Sequence, residues 1–352
     1  MKKLSRSLTA RSVFFMLAVC LSSCKQDVSV QPNPSVSQVQ NDKIELLDLQ
    51  GVKIEDGLLC FESLESMRKI REKLDKSNFA SYKAWCIEKG FESMSLIKDK
   101  LLTEYGTVDT DSKLLTFNEK NKNILIFNND GSIEFKNTAI DMFRFLNKNS
   151  MMKIGKSLYL FDEKGEIIVH DGDLSKMLHV ISDRKQEAGV LVYPIDQVQI
   201  RSGCTENNYS GLTTSASDPA RRANVRTCLF WRVFTRDNNI TIDAEALWSI
   251  EANAQKRLFR IWYNYSTSQT VDYDVMMEVI RPVPTFMRGP NIVDRQNAIV
   301  TEDNHTMIIS KVVATFSGIP TQQFDSTVRP FFNFIDINYS NRGGVSIEYH
   351  CN

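Results

Sequence analysis

Residues 270–279 read TVDYDVMMEV. Val271, Tyr273, Val275, Met277 and Val279 fall on one parity, and Asp272, Asp274, Met276 and Glu278 on the other. Successive side chains of a strand point to opposite faces, so this period of two marks a strand with one face on a core and the other toward solvent. The same period runs through TCLFWRVFT (227–235), EALWSIEAN (245–253), RLFRIWYNYS (257–266), TMIISKVVATF (306–316), RPFFNFIDINY (329–339) and GVSIEYH (344–350). Seven or eight such strands with turn-rich joins predict two packed antiparallel sheets, a β-sandwich over residues 226–352. A barrel satisfies the same alternation. Strands with aromatic side chains on both parities are expected at the sheet centre, with one face on the core and the other under a loop.

Upstream the period changes. In LLCFESLESMRKIREKL (58–74) a short apolar strand gives way to a helix capped by Ser63, with Leu64, Met67, Ile70 or Arg71, and Leu74 at three-to-four spacing. A second helix fits NFASYKAWCIEKG (78–90), lined by Phe79, Tyr82 and Trp85 or Cys86 and closed by Gly90 as a left-handed cap. Phe91 follows, placed to fold back on that end. A third helix is expected over 95–104. From Lys113 the reading is of short strands in KLLTF, KNILIF and SIEF, with a turn at Asn129-Asp130-Gly131. A helix over 138–146 and a small curled antiparallel sheet from MMKIG, KSLYLFD, EKGEIIV and GVLVYPI complete an α+β domain at 43–201. Residues 202–225, polar and rich in Gly and Ser, read as a linker loop between the two domains.

The extreme N-terminus reads as an address. Lys2, Lys3, Arg6 and Arg11 precede a nine-residue apolar run, VFFMLAVCL (13–21), too short to span a bilayer and ordered like a secretory signal. LSSC (21–24) closes it and resembles the bacterial lipobox. That resemblance implies a signal peptide over 1–23, cleavage before Cys24, and acyl chains on the Cys24 sulfur. Two or three chains at roughly 0.8 kcal/mol per buried CH₂ anchor durably where one is marginal. KQDVSVQPNPSVSQVQND, within 24–42, reads as a flexible tether. The location expected is the cell envelope, lipid-anchored at the outer membrane, with the periplasmic and surface faces both open.

Two further blocks, FESLESMRKIREKL with YKAWCIEKGFESM, and MMKIGKSLYLFDEKGEIIV, carry Phe61, Trp85, Gly90, Phe91, Ser93, Ile154, Gly155 and Tyr159. They resemble the N-terminal part of uncharacterised Bacteroidota cell-envelope lipoproteins, over about residues 58–180. The resemblance implies an envelope location and a shared scaffold, and no activity.

Exclusions bound the function. Lys+Arg and Asp+Glu are both 43 in 352 residues, so the chain has no formal net charge and no basic block for nucleic acid. Histidines 170, 179, 305 and 350 are scattered, and no C-x-x-C, H-E-x-x-H, G-x-S-x-G or glycine-rich phosphate loop occurs. No catalytic residue, metal ligand or cofactor is assigned. Asp162, Asp171 and Asp173 lack calcium-loop spacing and read as solvated tips. Asp272 and Asp274 share a strand face about 6.6 Å apart, as any exposed acidic stripe would. Cys204 is a candidate disulfide partner of Cys228, with Cys351 as its rival, while Cys60 and Cys86 read as buried thiols.

The function expected is a non-catalytic envelope lipoprotein that binds a surface glycan or a protein partner. Trp262, Tyr263 and Tyr265 are its candidate ligand contacts, weighed against a core role for the same rings. The alternatives are a structural or assembly subunit, fimbria-like or scaffold, for which GVSIEYHCN is the strand to inspect, and a hydrolase whose residues converge only in the fold.

Overall fold

The computed structural model describes residues 47–137, 139–194, 208–214, 218–236, 241–258, 261–279, 292–318, 330–342, 344 and 346–351. Cys24, expected to carry lipid, the expected signal and tether, and Cys204 lie outside them. Strands β1 (Val52–Glu55) and β2 (Leu58–Phe61) open the fold, and helices α1 (Leu64–Lys76), α2 (Phe79–Lys89) and α3 (Met94–Tyr105) follow. The capping residues fall where the side chains dictate. Ser63 Oγ accepts from Ser66 N, Asn78 Oδ1 from Ser81 N, and Ser93 Oγ from Leu96 N, each satisfying an orphan donor of a first turn. Gly90 closes α2 at φ +67° and Phe91 folds back into the core, as the sequence predicts.

The KLLTF stretch departs from expectation. It lies in helix α4 (Asp111–Asn121), started by Thr110 Oγ1 accepting from Lys113 N, with Phe117 and Asn121 one turn apart as its buried residues. Five residues with two adjacent leucines fit either period, and the cap decided it. Beyond it, β3 (Leu125–Phe127) and β4 (Ile133–Phe135) pair across the expected turn, where Gly131 sits at φ +82°. The helix expected over 138–146 is reduced to a 3-10 turn at Ile140–Met142, its entry set by Asn137 Oδ1 accepting from Ala139 N.

Strands β5 (Met151–Ile154), β6 (Ser157–Asp162), β7 (Gly165–Val169) and β8 (Val190–Pro194) extend the first sheet in the order β1-β2-β5-β6-β7-β8. All pairings are antiparallel except β2 with β5, which run parallel through Cys60↔Lys153 and Phe61↔Ile154. Helix α5 (Leu174–Asp183), capped by Asp173, buries Met177 and Val180 on this sheet. The three tip acids act separately: Asp162 pairs with Arg184, Asp171 with Lys176, and Asp173 caps α5.

The second half is a sandwich of two antiparallel sheets. The first holds β9 (Asn208–Thr214), β10 (Arg221–Thr235), β11 (Ile242–Leu258), β12 (Ile261–Asn264) and β15 (Thr306–Gly318). The second, in the order β14-β13-β16-β17, holds β13 (Thr267–Val279), β14 (Ile292–Asn304), β16 (Pro330–Asn341) and β17 (Ser346–Cys351). Two departures concern this half. The stretch read as a polar loop carries β9 and the start of β10, paired from Arg222↔Thr214 to Cys228↔Asn208. The stretch read as one strand, 257–266, contains a chain reversal, with Leu258 opposite Ile261. Val271, Tyr273, Val275 and Met277 face the sandwich core, as the opening alternation requires, while Asp272 is exposed and Asp274 pairs with Arg295 across the surface.

Strand β11 explains how the halves of Ile44–Asn352, one compact unit, are joined. It is buried without interruption from Ile242 to Gln255. Ala244, Ala246, Trp248, Ile250 and Ala252 enter the sandwich core, where Trp248 meets Tyr273 edge-on at 5.2 Å. The opposite parity carries Asp243, Glu245 and Glu251 toward the helices. Arg68 donates to Asp243 and Glu245 at 2.8 and 2.7 Å, Arg71 to Glu245 at 2.7 Å, and Lys98 to Glu251 at 2.5 Å. On β10, Arg222, Arg226 and Arg232 reach Asp130, Glu134, and Asp141 with Glu166. Apolar side chains complete the seam, since Phe234 and Ile242 join the helical core, and Ile261 packs with Leu101, Tyr105 and Phe117.

Candidate functional site

Strand β14 belongs to one sheet and β15 to the other, so the chain crosses between sheets at a bend on His305. The helical layer faces that corner. Between them lies a cleft of about 110 Å³, bordered by the end of α1, α2, α3, the segment 140–144 and the β14–β15 corner.

Some charges on its wall are committed to structure. Asp99 on α3 takes His305 Nδ1 at 2.9 Å and Lys83 Nζ at 2.8 Å. Burial pushes its carboxyl up, but those bonds outweigh it and hold the group below the usual range. Lys98 is spent on Glu251 and lies 5.5 Å from the Phe135 ring centre. Asp141 grips Arg232 through two bonds, of 2.6 and 3.1 Å. Arg144 donates one Nη1 bond to Leu74 O, at 2.6 Å, beside the last turn of α1.

Other groups are not committed. Among the described residues, the side chains of Asp75, Glu302 and Lys311 have no hydrogen bond or ion pair, although all three line the cleft. Ser310 Oγ is buried on the same wall and also lacks a partner. Burial pushes the carboxyls of Asp75 and Glu302 above their ordinary values; Lys311 and Arg144 oppose the shift at Asp75, and Arg144 alone opposes it at Glu302. Asp75 stands exposed at the rim, with Glu302 and Lys311 half-buried, so the cleft gathers unmet hydrogen-bonding capacity beside the Arg144 guanidinium.

A serine–histidine–acid relay does not fit here. No hydrogen bond joins Ser310 to His305: the His305 ring meets Asp99, and Ser310 Oγ has no partner among the described residues. Among the described residues no group of three or more His, Cys, Asp or Glu side chains is placed to hold a metal ion.

The aromatic candidates occupy the seam instead. Trp262 stacks beneath Arg222, 4.3 Å from its ring centre, and its backbone N–H donates to Gly131 O. Tyr263 packs in the cluster of Leu101, Tyr105 and Phe117, so close to Gly106 that a Cβ there would stand 2.9 Å from its ring. Tyr265 is half-buried, with its hydroxyl enclosed and without a partner among the described residues. Cys228 is a free thiol on β10, pushed up to about 11 by burial, and Cys351 ends β17.

Sequence reasoning missed Asp75, Arg144, Glu302 and Lys311. Glu302 alone left a signal: it shares the parity of Ala298 and Val300, the half-buried side of β14, where an acid is out of place.

No family model matches the chain, and no curated protein does. Among solved structures it is similar to the crystal structure of a DUF4848 family protein from Bacteroides thetaiotaomicron VPI-5482, at 15% identity over 85% of this chain and 100% of that one, with a TM-score of 0.29, a likeness too distant to carry an argument about the site.

Proposed function

We propose that this chain is a cell-envelope lipoprotein, anchored by acyl chains on Cys24, whose folded unit binds a surface glycan in the cleft between the helical layer and the β14–β15 corner. The observation that carries the binding reading is the gathering of Asp75, Glu302, Lys311 and the Ser310 hydroxyl, all without partners among the described residues, in one concavity. Of these only the Ser310 hydroxyl is wholly buried, and leaving such a group unpaired costs on the order of 1–3 kcal/mol, which a ligand's hydrogen bond would offset. The lipobox resemblance and the polar tether support the anchoring.

Two measurements test this reading. Replacing Cys24 by serine should move the protein from the membrane to the soluble fraction, and unchanged retention refutes the lipid anchor. The full chain in detergent micelles should be retained on at least one immobilised envelope polysaccharide and lose that retention in Glu302→Gln. Retention on none refutes the glycan reading and leaves a protein partner.

A hydrolytic reading draws on one observation, the presence of two carboxyls, Asp75 and Glu302, on the walls of one cleft, since glycoside cleavage uses a pair of acids. Release of new reducing ends from a retained polysaccharide, abolished in Asp75→Asn, would establish it; retention without release excludes it.

A further inference from the structure

We propose that the cleft takes a single neutral sugar unit, presenting hydroxyls to Asp75 and Arg144 on the helical wall and to Glu302 and Lys311 on the β14–β15 wall. The inference rests on the glycan reading above and specifies its ligand.

Charge comes first. The side chains with capacity to spare are two carboxyls, Asp75 and Glu302, and two cations, Arg144 and Lys311. The set is balanced. A uronic acid or an amino sugar would add a charge without an opposite left over, and unpaired charge is costly in a partly desolvated site.

Donor and acceptor chemistry narrows the class further. Ionised carboxylates only accept, and guanidinium and ammonium groups only donate. A ligand that satisfies both sets through adjacent atoms must donate and accept at each, which hydroxyls do. The buried Ser310 Oγ, without a partner among the described residues, offers one more such contact. Phe79, Ile140 and Val300 supply apolar wall for the C–H face of a pyranose.

Size fixes the number of units. A cleft of about 110 Å³ has room for one ring rather than for a chain lying along a groove. A polymer would therefore enter by a terminal or branch residue.

The test uses the full chain in micelles, with methyl hexosides, hexuronates and hexosamines competing for a retained polysaccharide. Neutral hexosides should compete, and both charged classes should be at least ten-fold weaker. Glu302→Gln and Asp75→Asn should each weaken hexoside binding at least ten-fold while leaving the melting temperature unchanged, because neither carboxyl has a hydrogen bond or close ion pair among the described residues to lose. Charged sugars competing as well as neutral ones, no monosaccharide competing, or unchanged affinity in both variants overturns the inference. Each of these outcomes leaves the glycan reading standing, whereas absence of any retained polysaccharide ends both.

Discussion

Glu166 shows how one residue can report on the seam. Its carboxylate accepts from Arg232 Nη1 and Val233 N, both at 3.0 Å. Burial nevertheless pushes its pKa up to about 7, with the Arg232 guanidinium pulling the other way. The folded state thus binds a proton over a window, from the ordinary 4.5 to about 7, in which the unfolded chain has released it. Its contribution is fully present below that window and lost as pH rises through it, by roughly 3 kcal/mol at most at 1.36 kcal/mol per unit. Asp243 and Glu251 act in the opposite sense. Burial raises each, but Ser317 and the guanidiniums of Arg68 and Arg236 hold Asp243 below its ordinary value, and Lys98 does the same for Glu251. Their contribution is present above the unfolded carboxylate range and is lost on acidification below it. The melting temperature should therefore fall from pH 5.5 to pH 8, and Glu166→Gln should flatten that slope. A slope unchanged in the variant would place the titration elsewhere.

At the scale of elements, Gly106 and Tyr263 separate packing from recognition. The glycine closes α3, and a methyl group there would meet the Tyr263 ring at 2.9 Å. Gly106→Ala should cost about 1–3 kcal/mol in urea unfolding, as over-packing does. Tyr263→Ala should also destabilise, with affinity for any retained glycan unchanged; lost affinity at unchanged stability would return the ring to a binding role. Legibility in the sequence follows the same physics. Helices α1, α2 and α3 could be read because caps and apolar spacing agreed, and β13 because one of its faces is wet. Helix α4 was misread because two adjacent leucines fit either period. Strand β14 was missed because, as an edge strand with both faces partly exposed, it mixes Val293 and Ile299 outward with Asp294 and Gln296 inward. The cleft had no linear trace, since Asp75, Arg144 and Glu302 meet only when β14 and β15 part to different sheets.

At the scale of the molecule, the sheet of β10 and β11 serves two cores at once. One face is the apolar interior of the sandwich, and the other is a layer of ion pairs and rings shared with the helices. Loss of one partner from a buried pair costs about 3–5 kcal/mol, because the other charge is stranded. Truncating a buried tryptophan costs about the same. Glu245→Ala strands Arg71 and leaves Arg68 with Asp243 alone on the helical face, and Trp248→Ala opens a void on the sandwich face of the same strand. If β11 couples the halves, calorimetry should show one unfolding transition for Ile44–Asn352, and each variant should lower it as a whole. The helical half cannot keep its core without Phe234, Ile242 and Ile261, which the sandwich strands supply. Two resolved transitions, with Trp248→Ala moving only the one that carries the sandwich, would instead show two domains that fold separately and touch through a seam of little energetic consequence.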